Sequence, residues 1–405
     1  MRRGLLIAVG TLVALLAVAA ALQLVRPVPV PRTVFSLPSS YTVPGPALQL
    51  PFPTAGQASL YLDGTGWVAR TPGQTPVAIA SVTKLMTALL VVRAHPLNPG
   101  QPGPSLTLSA ADQSVYQQEL AAGDSVVAVR AGESISELQL LEGLLLPSGD
   151  NVARLLSQWV SGSRGAFVVA MNQEAKRLGM TQTVYADASG LDPGSMSTAT
   201  DLTKLAMKVM AQPVLADVVA MSTAVLPVAG TVHNYDFVLG RQGVVGIKTG
   251  WTAEAGGCFV FAARRPVGGG HTAELLGAVL AQPGNAYSGI AAAEHDSVAL
   301  LAATWPRLEV VAPIQAGEVV GQLRTPWGAR SPVRAVGTIR VLGWPGLAIP
   351  LTARAMPLRT PLDKGAVVGE LRARPAGGPD LSAAALAGSQ LNGPGWYWRL
   401  SDRNL

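Results

Sequence analysis

A serine hydroxyl is a poor nucleophile at neutral pH and becomes a good one only beside a base that takes its proton. The stretch Ala78-Ile79-Ala80-Ser81-Val82-Thr83-Lys84-Leu85 holds such a pair at the head of an apolar, helix-like run. A three-residue step is about 300° of helical rotation, so Ser81 and Lys84 share a face. The hydroxyl would sit at the positive end of the helix dipole. A lysine whose charge is disfavoured by burial can serve as the base. Alone, the spacing is common and usually means a capping serine and a solvated lysine. Two further polar groups follow in order. Ser148-Gly149-Asp150-Asn151 interrupts an apolar helix 67 residues on, and Lys248-Thr249-Gly250 lies in a short strand 167 residues on. Separately these read as a plain helix–turn–helix corner and a strand whose glycine admits a ligand or a neighbouring backbone. As an ordered set they are the parts of a serine acyl-transfer site.

The scaffold for these groups begins near residue 55. Ala58–Leu62 and Trp67–Arg70, joined by Asp63-Gly64-Thr65-Gly66, form a β-hairpin. The Ser81 helix ends near His95-Pro96. Ser134 and Glu137 make a capping box for a helix whose Leu138, Leu141, Leu144 and Leu145 form one buried stripe. A further helix runs through Val152–Trp159. Another covers residues 164–179, with Gly179 as its C-terminal stop. Tyr185 to Gly194 is loop, and Thr198 with Asp201 caps a helix through Val209. Strands follow at Gly243–Thr252, Gly256–Ala263 and Ala273–Leu280, the last two joined by the Arg264–Gly270 turn, and a helix at His295–Thr304 closes the unit. The single cysteine, Cys258, falls in a strand and reads as a small core residue, and one cysteine excludes an intramolecular disulfide.

Both ends of the chain differ in character. Two arginines precede an uncharged run from Gly4 to Val25, whose 22 residues would span about 33 Å as a helix. The charge bias places the N-terminus inside and the rest of the chain outside. The run is long for a signal-peptide core, and Ala17-Val18-Ala19 and Ala19-Ala20-Ala21 resemble cleavage sites, so residues 1–26 are an anchor or a signal peptide. Residues 27–54, with eight prolines, read as a semi-rigid spacer. After a 55–305 unit, residues 310–374 read as a small β domain. In it, Pro313-x3-Gly317-x-Val319-Val320-Gly321-x-Leu323-Arg324 recurs 48 residues later as Pro361-x3-Gly365-x-Val367-Val368-Gly369-x-Leu371-Arg372. Residues 375–405, rich in Gly, Ala and Ser, read as a flexible tail. Charged residues are only 13% of the chain, the net charge is +6 without a basic block, and four histidines show no ligand spacing, so neither nucleic-acid binding nor a zinc site is expected.

Beyond the three motifs, the chain resembles the serine D-alanyl-D-alanine carboxypeptidases, the low-molecular-weight penicillin-binding proteins. The resemblance rests on Ile79–Ala88, Leu144–Gly149, Met171-Asn172 with Leu178-Gly179-Met180, Ser189-Gly190-Leu191, Ser197–Leu202 and Gly246–Gly256, and it covers roughly residues 55–305. It implies an α/β (α+β) penicillin-binding/β-lactamase-like transpeptidase fold. That is an antiparallel sheet flanked by helices with an all-α subdomain, here followed by an all-β accessory domain. It further implies Ser81 as nucleophile, Lys84 as base, and Ser148 as proton relay. Lys248 and Thr249, with Asp150 or Asn151, would bind substrate, and the backbone N–H groups of Ser81 and Trp251 would form the oxyanion hole. The substrate would be the peptidoglycan stem peptide, β-lactams would acylate the same serine, and no metal or cofactor is implied. The site would lie on the extracytoplasmic face of a bacterial membrane.

The chain departs from that pattern at Asp150, where the family usually has Asn. An amide can donate to a substrate carbonyl and a carboxylate cannot. An anion between Lys84 and Lys248 would favour the ammonium form of Lys84 and weaken it as a base. Two other functions remain open on sequence: a class A-like β-lactamase, for which no Glu-x-x-Leu-Asn follows the Ser148 turn, and a weakly active or inactive wall-binding protein. Asp201 has a possible part in deacylation, although its capping position is reason enough for it.

Overall fold

Helix starts and stops follow local chemistry in most of the chain. The computed structural model describes residues 2–268 and 271–402. Its helices are α1 (Arg2–Val25), α2 (Lys84–Ala94), α3 (Ala110–Ala122), α4 (Glu137–Leu145), α5 (Asp150–Ser161), α6 (Arg164–Arg177), α7 (Ala199–Met210), α8 (Pro213–Val219), α9 (Ala286–Thr304) and α10 (Trp396–Ser401). Gly179, at φ +68°, ends α6 as the sequence implies, with Met180 N–H donating to Ala175 O. At α4 the expected box is displaced. Ser134–Ser136 is a strand, and the reciprocal pair is Ser136 with Gln139, because the strand pairs with Ser105–Thr107 and uses the first serine. Only half of the second box forms. Thr198 caps Asp201 N–H, while the Asp201 carboxylate accepts from Gln182 N–H, the Thr183 hydroxyl and Lys204.

Five antiparallel strands form the central sheet, in the order Val244–Thr252, Gly256–Pro266, Thr272–Gln282, Gln57–Leu62 and Gly66–Arg70. The expected hairpin and the three later strands are all present. The joining turn at 264–270 lies partly outside the described residues. Successive side chains of a strand point to opposite faces, so Val260 and Ala262 pack into a large core shared with α2, α4, α5 and α7, while Phe259 and Phe261 pack under α9. Cys258 is fully buried in this sheet, and burial pushes its thiol up to about 12, as expected of a core residue. Helix α9 begins nine residues before its expected start at His295. Its first turns hold Gly289 and alanines rather than an apolar stripe, because the backbone of Gly257 lies directly against Gly289.

The β domain corrects two readings of the termini. Residues 27–54 are not a free spacer: Arg32–Phe35 pairs with Val319–Arg324, Ser40–Thr42 pairs with Ala348–Ala355, and Val43 is buried. These two strands are the outer edges of a seven-stranded sheet. Edge positions tolerate the flanking Pro31, Pro38 and Pro44, whose lack of N–H would break an interior ladder. The expected loose tail is not found over the described residues 375–402, since Leu381–Ala387 lies between Arg330–Ala335 and Val367–Ala373. The 48-residue echo is a structural repeat. Gly317 and Gly365 turn at φ +83° and +86°, and each repeat pairs with its next strand through a bulge at the same place. This domain grips the tip of the 57–70 hairpin, with Thr65 Oγ1 donating to Leu342 O at 2.8 Å and Tyr61 OH to Gly377 O at 3.1 Å. Helix α10 meets the C-terminal end of α1, where Arg399 donates to the carbonyls of Leu24 and Arg26.

Candidate active site

The Ser81 turn is a 3₁₀ segment, Ala80–Thr83, leading directly into α2. Its entry is strained, for Ala80 has φ +47°, a region that L-residues seldom occupy. Two neighbours enforce it. From one side the Val244–Thr252 strand presses Gly250 onto the turn, so that a Cβ there would lie 2.8 Å from Ser81 N and 3.0 Å from Val82 N. From the other, Gly190, at φ +90°, abuts Ala80 O so closely that no side chain fits. The sequence placed Gly250 as a point of close approach, and the partner is this turn.

Lys84 is fully buried and donates three hydrogen bonds: to Ser81 Oγ at 2.8 Å, to Asp150 Oδ1 at 2.6 Å and to Ser189 O at 3.1 Å. Helices α2 and α5 and the 185–194 loop each supply one part of this cluster. The loop is shaped by Asp187, whose carboxylate accepts from the N–H groups of Ser189, Gly190 and Leu191 and from the Ser189 and Ser195 hydroxyls. Thr87 Oγ1, one turn beyond Lys84, donates to Ala188 O at 2.6 Å and ties the loop to α2. A cavity of about 660 Å³ reaches Asp150 and Ser189 from the α5–α6 side.

The Ser148 turn contains a second strained residue. Ser148 has φ +65°, and its buried hydroxyl has no hydrogen-bond partner among the described residues. The two residues after Gly149 depart from the expected substrate-binding role. Asp150 gives one oxygen to Lys84 and the other to Ser125 N–H at 3.1 Å, so both are engaged. Asn151 points elsewhere: its Oδ1 accepts from Val127 N–H and its Nδ2 donates to Val127 O, which stitches α5 to the preceding segment. These two bonds turn the Asn151 amide toward the backbone of Val127 and away from Lys84, whose carboxylate partner is Asp150.

Lys248 is 2% exposed and donates to Thr249 O at 3.0 Å. Burial, and then the positive charge of Lys84, pull its ammonium down to about 7, while Asp150 and Asp236 act in the opposite sense. The adjoining Thr249 Oγ1 donates to Tyr235 O, and Tyr235 N–H donates to Leu146 O, so residue 235 bridges the strand and the Ser148 turn. Trp251, next along the strand, fixes its indole by donating to Gly284 O. Ser81, Lys84 and Asp150 are thus in direct contact, and Lys248 shares their field. Sequence reasoning missed Ser189, Ser125 and Asp236. The first two act through backbone groups, which every residue type carries.

Fold and site together define an active-site serine hydrolase of the penicillin-recognising kind. A model of the D-alanyl-D-alanine carboxypeptidase family matches residues 64–268, a span that holds Ser81, Lys84, Ser148, Asp150, Lys248 and Thr249. The D-alanyl-D-alanine carboxypeptidase of Streptomyces sp. strain K15 is 31% identical over 277 residues, 63% of this chain and 89% of that protein. The D-alanyl-D-alanine carboxypeptidase DacB2 of Mycobacterium tuberculosis is 36% identical over 193 residues, and the match spans 46% of this chain and 62% of that relative. Among solved structures, the Streptomyces K15 DD-transpeptidase superposes with a TM-score of 0.56 at 26% identity, over 64% of this chain and all of that one. Penicillin-binding protein 5 of Haemophilus influenzae shares the fold across 87% of this chain, with a TM-score of 0.59 at 21% identity. The chain belongs to the D-alanyl-D-alanine carboxypeptidase family of serine peptidases.

A methyl group at Gly250 tests the packing of strand on turn. Gly250→Ala should lower stability by about 1–3 kcal/mol and reduce labelling by fluorescent penicillin. Thermal melts and gel fluorescence read the two effects, and unchanged labelling would show that the strand does not position Ser81.

Proposed function

We propose that this protein removes the terminal D-Ala from peptidoglycan stem peptides through an acyl-enzyme on Ser81. The observation that carries this reading is the environment of Lys84. When Lys84 is a neutral amine, its two N–H groups stay on Asp150 and Ser189 O, and its lone pair turns to the Ser81 hydroxyl. Lys84 then takes the Ser81 proton as Oγ attacks the carbonyl carbon of the penultimate D-Ala. The backbone N–H groups of Ser81 and Trp251 receive the developing oxyanion. Ser148, whose hydroxyl has no partner among the described residues, relays the proton taken by Lys84 to the departing D-Ala amine, accepting one from Lys84 as it gives its own. Lys248 and Thr249 hold the terminal carboxylate, and water hydrolyses the ester. β-Lactams enter by the same attack, with ring opening in place of departure.

The setting fits an enzyme working outside the membrane. Helix α1 is 24 residues long, has a mean hydropathy of 2.8 in its most apolar window and buries no residue, with Arg2 and Arg3 at its start. We infer that it carries the chain to the outer face and, where it is retained, anchors it there. Trp396 and Tyr397 of α10 are exposed, α10 packs against α1, and aromatic side chains of this kind favour the membrane interface.

Two experiments test the reading. Wild-type protein should release D-Ala from a pentapeptide and take up fluorescent penicillin, and Ser81→Ala should lose roughly 10³-fold or more of both; equal labelling of the variant would exclude Ser81. Because Lys248 is cationic below about 7 and neutral above it, KM for a carboxylate-ended substrate should rise roughly tenfold between about pH 6 and pH 9. A substrate with an amidated terminus should lack that rise. Parallel profiles for the two substrates would remove Lys248 from carboxylate binding.

A further inference from the structure

A buried ammonium needs a counter-charge, and the obvious one beside Lys248 is already committed. Asp150 spends one oxygen on Lys84 and the other on Ser125 N–H. Lys248 itself donates to the carbonyl of its neighbour Thr249. The other carboxylate in its field is Asp236. Asp236 is 5% exposed, and its Oδ2 has no hydrogen-bond partner among the described residues.

The loop that carries Asp236 is held firmly. Asn234 Nδ2 donates to Val219 O and Met221 O, and its Oδ1 accepts from Asp236 N–H. Asp236 Oδ1 in turn accepts from Val238 N–H at 3.0 Å. Thr249 Oγ1 on Tyr235 O clamps the loop to the strand beside Lys248, and Glu294 of α9 accepts from Phe237 N–H. A loop fixed at four points thus buries a carboxylate with one oxygen unspent, in the field of a lysine whose hydrogen bond goes to a neutral carbonyl.

We propose that Asp236 is a positioning residue that supplies the counter-charge of Lys248 and so keeps it ready to receive the substrate's terminal carboxylate. This rests on the reading of Lys248 given above. The charged groups facing the pair are Lys84 and Asp150 on the Lys248 side, and Glu294, itself beside Arg241, on the Asp236 side. Burial pushes Asp236 up to about 6 and Glu294 to about 7, so both carboxyls titrate just where Lys248 does. As pH falls through that range Asp236 takes a proton and its support for Lys248 fades. As pH rises, Lys248 itself loses its charge.

The test is Asp236→Asn in the full chain, read by kinetics and by ¹³C NMR of the lysine Cε and aspartate carboxyl signals. The variant should move the pH at which Lys248 loses its charge down by roughly one to two units. KM for the carboxylate-ended peptide at about pH 7 should rise roughly tenfold, with kcat little changed and Asp236→Glu restoring part of the loss. The reciprocal variant, Lys248→Met, should raise the pH at which Asp236 ionises, and this arm decides the matter if Asp236→Asn does not fold. Titrations that stay where they are in both variants, or in Lys248→Met alone, overturn the proposal. Coupled titrations in a protein that releases no D-Ala would sink the peptidase reading and leave the coupling of the two charges standing.

Discussion

One buried amine organises this site. A lysine Nζ withdrawn from water is tolerable only when its hydrogens meet acceptors and its charge meets a counter-charge. Lys84 meets both conditions through three separate elements, Ser81 on the 3₁₀ turn, Asp150 on α5 and Ser189 O on the 185–194 loop. Removing one partner from such a buried pair costs about 3–5 kcal/mol in comparable cases. The elements that carry the partners are therefore held in place by the group they surround. The Asp187 hydrogen-bond nest and the Thr87 bond to Ala188 O exist, on this view, to present one carbonyl to one amine.

The strand beside the turn adds a second constraint. Gly250 lets backbone meet backbone at Ser81, and the adjoining Lys248 brings a second cation into the same field. Burial and the charge of Lys84 together disfavour the ammonium form of Lys248, while Asp150 and Asp236 act in the opposite sense. The strained Ala80 and Ser148 flank the two hydroxyls of the site, and strain of this kind persists only where packing over-determines the backbone. The β domain is remote from this chemistry, and it contacts the main body through the tip of the hairpin whose first strand runs in the central sheet.

How much of this was legible in the sequence depended on whether side chains or backbone carried the signal. Ser81, Lys84, Ser148 and Lys248 stood out because their types and order are distinctive, and the strands around Cys258 because their apolar runs are bounded by glycine. Asn151 was misleading: an amide one residue from the expected position looked available, yet only the fold reveals that Val127 uses it. The Ser189 carbonyl carried no side-chain signal. The two edge strands at 32–42 were hidden by prolines that mark spacers and sheet edges alike, and the Leu381–Ala387 strand by alanines whose small size suits an interior position but predicts nothing locally. Helix α9 lost its first turns to the small residues its contact with Gly257 requires.

The account holds that Asp150 restrains Lys84, meeting its charge and occupying one of its N–H groups at 2.6 Å. The direct measurement is the second-order rate of acylation of Asp150→Asn by benzylpenicillin at about pH 7, beside wild type, with intact-protein mass spectrometry confirming one adduct on Ser81. An amide keeps an acceptor for Lys84 and removes the charge, so acylation should be several-fold faster, on the order of the tenfold that 1.4 kcal/mol represents. Slower acylation in a folded variant would contradict the account, because it would make the Asp150 carboxylate a working part of the proton path.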